Sequence, residues 1–314
     1  MLTFIFVDYK SGEATLNCIA HYIKKCKKSP AEISFVVVDN SVDDGNFVKL
    51  SSAYSTISIT EYDGSVLEEK NVDGYRLLLW KNTSNAGYGK GNNAGAKIAG
   101  EFLGSDYLIF TNNDLLVLDD TLSVDTLITE TEKPNVAIVG PSIVGKDGRP
   151  QNPYFEKNFF LRWGLDNLCY PLARFLPKKL TSGDLQENFV QNPVFRVMGA
   201  FFLIPRRIFE EVGCFDPNTF LFAEELILSR KLHDRGYVTH YVPAVHLLHN
   251  HSEIINKNYD FSKRLMLRFE SESYYYKNYA GVSSVQIFVV RMILKSYIFR
   301  KKICKKIKSL FKKV

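Results

Sequence analysis

The chain has 314 residues, 46% of them hydrophobic and 24% charged, with a formal net charge of +6; this is ordinary globular composition, ample for a core, and it argues against disorder. Five cysteines (Cys18, Cys26, Cys169, Cys214, Cys304) are scattered without a Cys-x-x-Cys pair, which favours reduced thiols in the cytosol over a disulfide framework or zinc site. The excess positive charge lies from Lys295 onward, in KSYIFRKKICKKIKSLFKKV, and the remainder is near neutral, so a protein basic over its whole surface, as a general nucleic-acid binder would be, is excluded.

Residues 2–8 (LTFIFVD) form a short apolar run broken by Asp8, with no basic leader or cleavage site, and read as a first strand rather than a signal peptide. A helix is predicted from about Ser11 to Lys28. The β-branched run 33–38 (ISFVVV) ends at Asp39-Asn40-Ser41, and 76–80 (RLLLW) reads as another strand. A Gly/Asn-rich loop, NTSNAGYGKGNNAG, then runs into a helix near 92–101. The runs 107–111 and 136–139 end at Asn112-Asn113-Asp114 and at Gly140-Pro141. Strands alternating with helices predict a mostly parallel, doubly wound α/β sheet. Ligands in such sheets sit at the carboxyl ends of the strands, where Asp8-Tyr9, Asp39-Asn40 and Asn112 to Asp114 collect.

From about 150 to 195 the pattern is irregular and reads as a long connection that could cover an acceptor pocket. After it come a small-residue turn, an apolar strand and a helix with Pro205 at its start. LFAEELILSRKLHDRG is a second helix, with Glu224 and Glu225 in its first turn and Gly236 beyond its end. Residues 238–252 supply a strand (VTHYV) and a His-rich segment, HLLHNHS.

Each polar cluster has two readings. Asp114 can present Mg²⁺ or Mn²⁺ to a diphosphate, or it can be a turn residue. The loop from Gly87 to Gly95 can offer backbone amides to phosphates at a helix N-terminus, or it can be a tight turn fastened by asparagines. Glu224 and Glu225 can stabilise a helix dipole, or one of them can deprotonate an acceptor hydroxyl. His246, His249 and His251 fit no zinc signature; His249 is assigned beside Asp114 as a candidate metal ligand.

In order, these pieces resemble the family 2 glycosyltransferases, inverting enzymes of the GT-A fold, and especially their rhamnosyltransferase-like branch. Val7-Asp8-Tyr9-Lys10-Ser11, Val38-Asp39-Asn40-Ser41, the loop Asn85 to Gly95 and the Asn112 to Asp114 triplet match the donor side. Met198-Gly199-Ala200, Val212 to Asp216 and Phe222-Ala223-Glu224-Glu225 match the acceptor side, and the likeness spans roughly residues 2–252. The resemblance implies that Asp39 contacts the nucleotide base with Tyr9 beside it, that Asp114 holds the metal and that Glu225 is the base. Candidate donor-binding residues are thus Tyr9, Asp39, Asn85, Gly87, Lys90 and Asn113. Two departures stand out: Glu225 replaces the family's usual Asp, and Ile227 stands where a further Asp is common.

Residues 285–314 are too interrupted by Arg291 and Lys295 for a spanning helix, but apolar residues recur at helical spacing among lysines, as in a helix lying on an anionic membrane. Packing on the protein body or on a second subunit is the other reading. The expected organisation is a GT-A domain over 1–255 and a helical, basic, membrane-associating extension over 256–314. The expected place is cytoplasmic, peripheral on the inner face of the cell membrane. The partners implied are a UDP- or dTDP-linked sugar, rhamnose among the candidates, and a saccharide or lipid-linked acceptor of O-antigen or capsule type. Oligomeric state stays open. The rival readings are a degenerate sugar-nucleotide-binding or scaffold protein of the same fold, and a nucleotidyltransferase.

Overall fold

The computed structural model describes residues 1–156, 158–165, 192–250 and 260–311. Most of the irregular connection, Cys169 and His251 lie outside the described residues. In chain order the elements are β1 (Leu2–Asp8), α1 (Gly12–Cys26), β2 (Ile33–Asp39), α2 (Asp44–Ser52), β3 (Ser55–Tyr62), β4 (Ser65–Val72), β5 (Tyr75–Lys81), α3 (Tyr88–Leu103), β6 (Tyr107–Thr111), β7 (Leu115–Val117), α4 (Val124–Thr131) and β8 (Val136–Gly145). A π-helical turn (Phe160–Leu165), β9 (Phe201–Pro205), α5 (Arg206–Glu211), α6 (Glu224–His233), β10 (Val238–His249), α7 (Phe261–Tyr279) and α8 (Ser284–Phe311) follow.

The strands join one sheet in the order β3-β4-β5-β2-β1-β6-β9-β8-β10-β7. Its centre, β5-β2-β1-β6, is parallel throughout. Parallel strands buried on both faces read as continuous apolar runs, which is why IFV and FVVV were legible. Away from this centre the sheet is mixed, with β9 antiparallel to both β6 and β8 and β7 antiparallel to β10. The other flank is a double hairpin, β3-β4-β5, that the sequence reading left out apart from β5. Its two turns are Asp63-Gly64 and Asp73-Gly74, all four with positive φ, the conformation that two-residue hairpins require.

Alternation along β1 divides the core. Phe4 and Phe6 face α1, α2 and α4 with Ile19, Tyr22, Leu50 and Leu127. Ile5 faces α3, α5 and α6 with Ala96, Ile98, Phe209 and Leu228. Gly95 is what lets α3 come this close, because a Cβ there would stand 2.5 Å from a methyl of Ile5.

A third cluster joins α6 to the C-terminal helices: Ala223, Leu226, Ile227, Phe269, Tyr275, Ile287, Val290 and Leu294, with Phe159 and Trp163 of the preceding segment. Each such side chain contributes roughly 1.5–3 kcal/mol on full burial. Ile227 is fully buried here, so the position where the family often has an acid faces the C-terminal helices. Glu272 of α7 anchors the joint. It accepts from Arg162 at 3.1 Å, Arg268 at 2.7 Å and the Trp163 indole at 2.8 Å. Burial alone would raise its pKa, but the charges of Arg268 and Arg162 hold it down at about 2.

Candidate active site

The parallel register sets Asp8 beside Asp39 at the carboxyl ends of β1 and β2. Two adjacent buried carboxylates repel, and Asn46 of α2 offsets this by donating its amide to Asp8 Oδ1 at 2.7 Å and Asp39 Oδ1 at 2.8 Å. Asp8 is further saturated by the Ser11 amide, Ser11 Oγ and Thr15 Oγ1. Asp39 differs. Its Oδ1 also takes the Ser41 amide at 3.0 Å, but its buried Oδ2 has no hydrogen-bond partner. Burial raises its pKa, and the charge of Asp8 adds to this, against the hydrogen bonds from Ser41 and Asn46. An unsatisfied buried carboxylate oxygen is costly, and a ligand N–H would satisfy it. Tyr9, which follows Asp8 in the chain, is half-buried, with the Lys10 ammonium 5.7 Å from its ring centroid.

The β5–α3 loop is tied to β2 and to the connection between α5 and α6. Asn82 donates to Asn40, and Asn40 donates to the Gly87 carbonyl at 3.0 Å. Gly87 has φ 86°, and a Cβ on it would lie 2.3 Å from the Phe220 carbonyl oxygen, so no side chain fits. Asn85 closes the turn by accepting from the Gly87 amide, and Asn93 clasps Phe215 through both its carbonyl and its amide. Much of this Gly/Asn-rich stretch is therefore the fastened turn of the second reading; Lys90 is exposed on the first turn of α3. Asn113 likewise turns back, donating to Ser11, Thr15 and Asp8, and braces the β1–α1 loop.

Asp114 and His249 meet because the β7–β10 ladder sets Leu115 opposite His249. Both are largely buried, and Asp114 Oδ2 lies 3.2 Å from His249 Nε2. On the other side of the ring, Gln151 Oε1 is 2.8 Å from Nδ1. An amide oxygen only accepts, so Nδ1 carries a proton. A carboxylate and an imidazole fixed by an outer carbonyl make a donor set that fits Mn²⁺ or Mg²⁺, with water and phosphate oxygens completing it. No cluster of three or more His, Cys, Asp or Glu side chains that could hold a metal occurs among the described residues. His246 pairs instead with Asp119 at 3.0 Å.

Glu224 and Glu225 open α6 after two consecutive left-handed residues, Phe222 at φ 71° and Ala223 at φ 69°, a conformation that costs of order 1 kcal/mol or more each. The two acids have different surroundings. Glu224 is buried against the first turn of α3, its Cγ 3.2 Å from where a Gly89 Cβ would stand, and its Oε1 has no partner. Burial, reinforced by the charge of Glu225, pushes its pKa up to about 8, so it is protonated at neutral pH. Glu225 is half-buried and lies against Gly199, where a Cβ would meet its Oε2 at 3.3 Å. Arg196 reaches Glu225 Oε1 at 3.3 Å with its guanidinium 3.9 Å from the Tyr154 ring centroid, and the two backbones pair through an isolated bridge. The Asn112 amide donates to Ala200 at 2.8 Å, which ties the metal-candidate strand end to the turn that holds Glu225. Arg196, Gln151 and Asn46 were not found by sequence reading.

A cavity of about 680 Å³ opens between α1 and α2, lined by Lys10, Ser11, Gly12, Asn46 and Lys49 among others. Its walls include none of Asp39, Asp114, Glu224 or Glu225, and the candidate site is placed at the strand ends instead.

The chain is 28% identical over 178 residues to an N-acetylglucosaminyl-diphospho-decaprenol L-rhamnosyltransferase of Mycobacterium tuberculosis, covering 53% of this chain and 56% of that protein. It is 25% identical over 227 residues to the low-salt glycan biosynthesis hexosyltransferase Agl10 of Haloferax volcanii, covering 72% and 59%. The chain thus spans little more than half the length of the curated relatives it matches. No family model matches. Among solved structures, the mannosyltransferase PcManGT of Pyrobaculum calidifontis, in complex with GDP-Man and Mn²⁺, superposes with a TM-score of 0.55 at 12% identity, covering 93% of this chain and 69% of that one. GalNAc-T7 with UDP, GalNAc and Mn²⁺ gives 0.55 at 16% identity, covering 80% and 44%. The fold is that of the GT-A glycosyltransferases, and the rhamnosyltransferase-like, family 2 resemblance read from the motifs is borne out.

Proposed function

We propose that the protein is an inverting glycosyltransferase that moves a sugar from a UDP- or dTDP-linked donor to a saccharide or lipid-linked acceptor in cell-surface polysaccharide assembly. The observation that carries this is the hydrogen bond from Asn112 to Ala200, which sets the Asp114–His249 pair next to the turn against which Glu225 packs. The likeness to a rhamnosyltransferase makes a rhamnosyl donor the first to try, and that relative's decaprenyl-linked substrate name favours a lipid-linked acceptor.

In this reading Asp39 Oδ2 accepts the imide N–H of a uracil or thymine, and Tyr9 lies alongside the base. The backbone of the Gly87 turn and Lys90 border the diphosphate. Asp114 and His249 are the protein ligands for Mg²⁺ or Mn²⁺, which when bound would neutralise the charge of the departing diphosphate. Glu225 takes the proton of the acceptor hydroxyl as its oxygen bonds to the anomeric carbon and the bond to the diphosphate oxygen breaks, inverting that centre. Arg196 positions Glu225 and keeps a cation beside it. Glu224, neutral at working pH, fills the floor of the site. No helix among the described residues is long and apolar enough to cross a membrane.

A thermal-shift panel of nucleotide sugars, with and without Mn²⁺, tests the donor site. Stabilisation by uridine or thymidine sugars that needs metal and is lost in Asp114→Ala is the expected result. A well-folded sample that responds to no nucleotide sugar under any metal condition would set the transferase reading aside.

A further inference from the structure

Helix α8 carries two apolar faces, and only one of them is used inside the molecule. Ile287, Val290, Leu294 and Tyr297 recur at alternating spacings of three and four and are buried in the third core cluster against α7 and the π-helical turn. At about 100° per residue, Val285, Phe288, Val289, Met292, Phe299 and Ile303 fall together on the opposite side. They are 71%, 61%, 43%, 51%, 65% and 42% exposed, respectively. Six large apolar side chains on one exposed stripe are more than the scattered exposure expected of a surface helix.

The charges around the stripe indicate what covers it. Lys295 and Lys302 are exposed along one margin of the stripe and Arg300 along the other. From residue 273 to the end the sequence holds Lys277, Arg291, Lys295, Arg300, Lys301, Lys302 and five further lysines, and no aspartate or glutamate. An apolar stripe edged by cations and free of acids complements anionic headgroups over acyl chains. A second copy of the same surface would bring like charges together.

We infer that the outward stripe of α8 is a docking face for an anionic lipid bilayer, with the helix lying in the plane of the interface. The inward seam stays packed on α7, which Glu272 locks to Arg162 and Trp163 and which shares its core with Ile227 of α6. The helix that carries Glu225 is therefore coupled to the membrane-facing element through packed side chains and not through a flexible tether. The inference rests on surface chemistry and does not depend on the proposed reaction.

The test is co-sedimentation of the full chain with phosphatidylcholine vesicles and with vesicles containing about one-third phosphatidylglycerol. Expected are binding to the anionic vesicles only, weakening in 0.5 M salt, and at least a tenfold loss of partition in Phe288→Asp/Phe299→Asp. Both substituted side chains are exposed, and an unchanged melting temperature together with unchanged nucleotide-sugar binding would show that fold and donor site are intact. Equal binding to neutral and anionic vesicles, no binding to either, or full binding by the double variant would overturn the inference. So would light scattering showing a dimer that the double variant splits, because the stripe would then be a subunit interface.

Discussion

The proposed donor half and the proposed acceptor half of the site hold their carboxylates by opposite means. On the donor side, Asp8 and Asp39 stand side by side and are kept apart electrostatically by one neutral amide, Asn46, with hydroxyls and backbone N–H groups from the adjoining loops. On the acceptor side, Glu224 and Glu225 are adjacent in the chain but lie in different environments, one buried with its pKa pushed up to about 8, the other half-buried against Arg196. The donor half is built at the carboxyl ends of the central strands, where hydrogen bonds satisfy Asp8 and leave Asp39 Oδ2 open. The acceptor half depends on a cation and on helices packed from far along the chain. Two acids of the same kind, adjacent in the chain, thus come to lie in unlike surroundings, and burial raises the pKa of the enclosed one.

Substitutions can break this division or sharpen it. The largest effect is expected from Glu225→Gln, which should lower transfer about 10³-fold while leaving nucleotide-sugar affinity unchanged; paired turnover and calorimetric binding measurements check it. Next, Glu272→Gln leaves Arg162 and Arg268 facing a neutral group. It should cost about 3–5 kcal/mol of stability in urea unfolding and loosen the acceptor half first, seen as faster amide exchange in α7 than in β1 and β2. On the donor side, Gln151→Leu removes the carbonyl that orients His249 and should weaken Mn²⁺ binding about 10- to 100-fold, by titration. Arg196→Gln should lower kcat roughly tenfold at unchanged donor affinity, with partial recovery in Arg196→Lys; a change in donor affinity instead would mean that the halves are not separable.

The smallest effect on turnover is expected for Glu224→Gln, because the amide imitates the protonated acid already present at neutral pH. Its signature is in stability. The Glu224 pKa is raised on folding, from 4.5 to about 8, so the native state holds a proton that the unfolded chain has released. Stability therefore falls as pH rises through this window. Glu224→Gln should remove that slope and be roughly 1–3 kcal/mol more stable than wild type at pH 8, as measured by urea unfolding at pH 5 and pH 8.

The same contrast explains what the sequence disclosed. Asp39 and Asp114 were legible because a buried parallel strand is a continuous apolar run and its carboxyl end is a defined place. The β3–β4 hairpin carried a readable signal in Asp63-Gly64 and Asp73-Gly74, but strand β3 is exposed along nearly its whole length and lacks the apolar pattern used to find strands. Gln151 and Arg196 act on partners 98 and 29 residues away, a pairing that no local spacing records. Glu224 and Glu225 were indistinguishable by type, and burial of the one and the Arg196 partner of the other separate them. The two faces of α8 were present in its periodicity, but which one turns inward is decided by α7.

In the proposed reaction, a donor site built on Asp39, Asp114 and His249 works with a base at Glu225. The most direct measurement is transfer from a radiolabelled nucleotide sugar to a polyprenyl-diphosphate-linked saccharide, by wild type and Glu225→Gln matched for donor occupancy. About 10³-fold less product from Glu225→Gln than from wild type is expected, with both proteins binding the donor equally in the presence of Mn²⁺. Undiminished transfer by Glu225→Gln would contradict it and move the base elsewhere in the cleft.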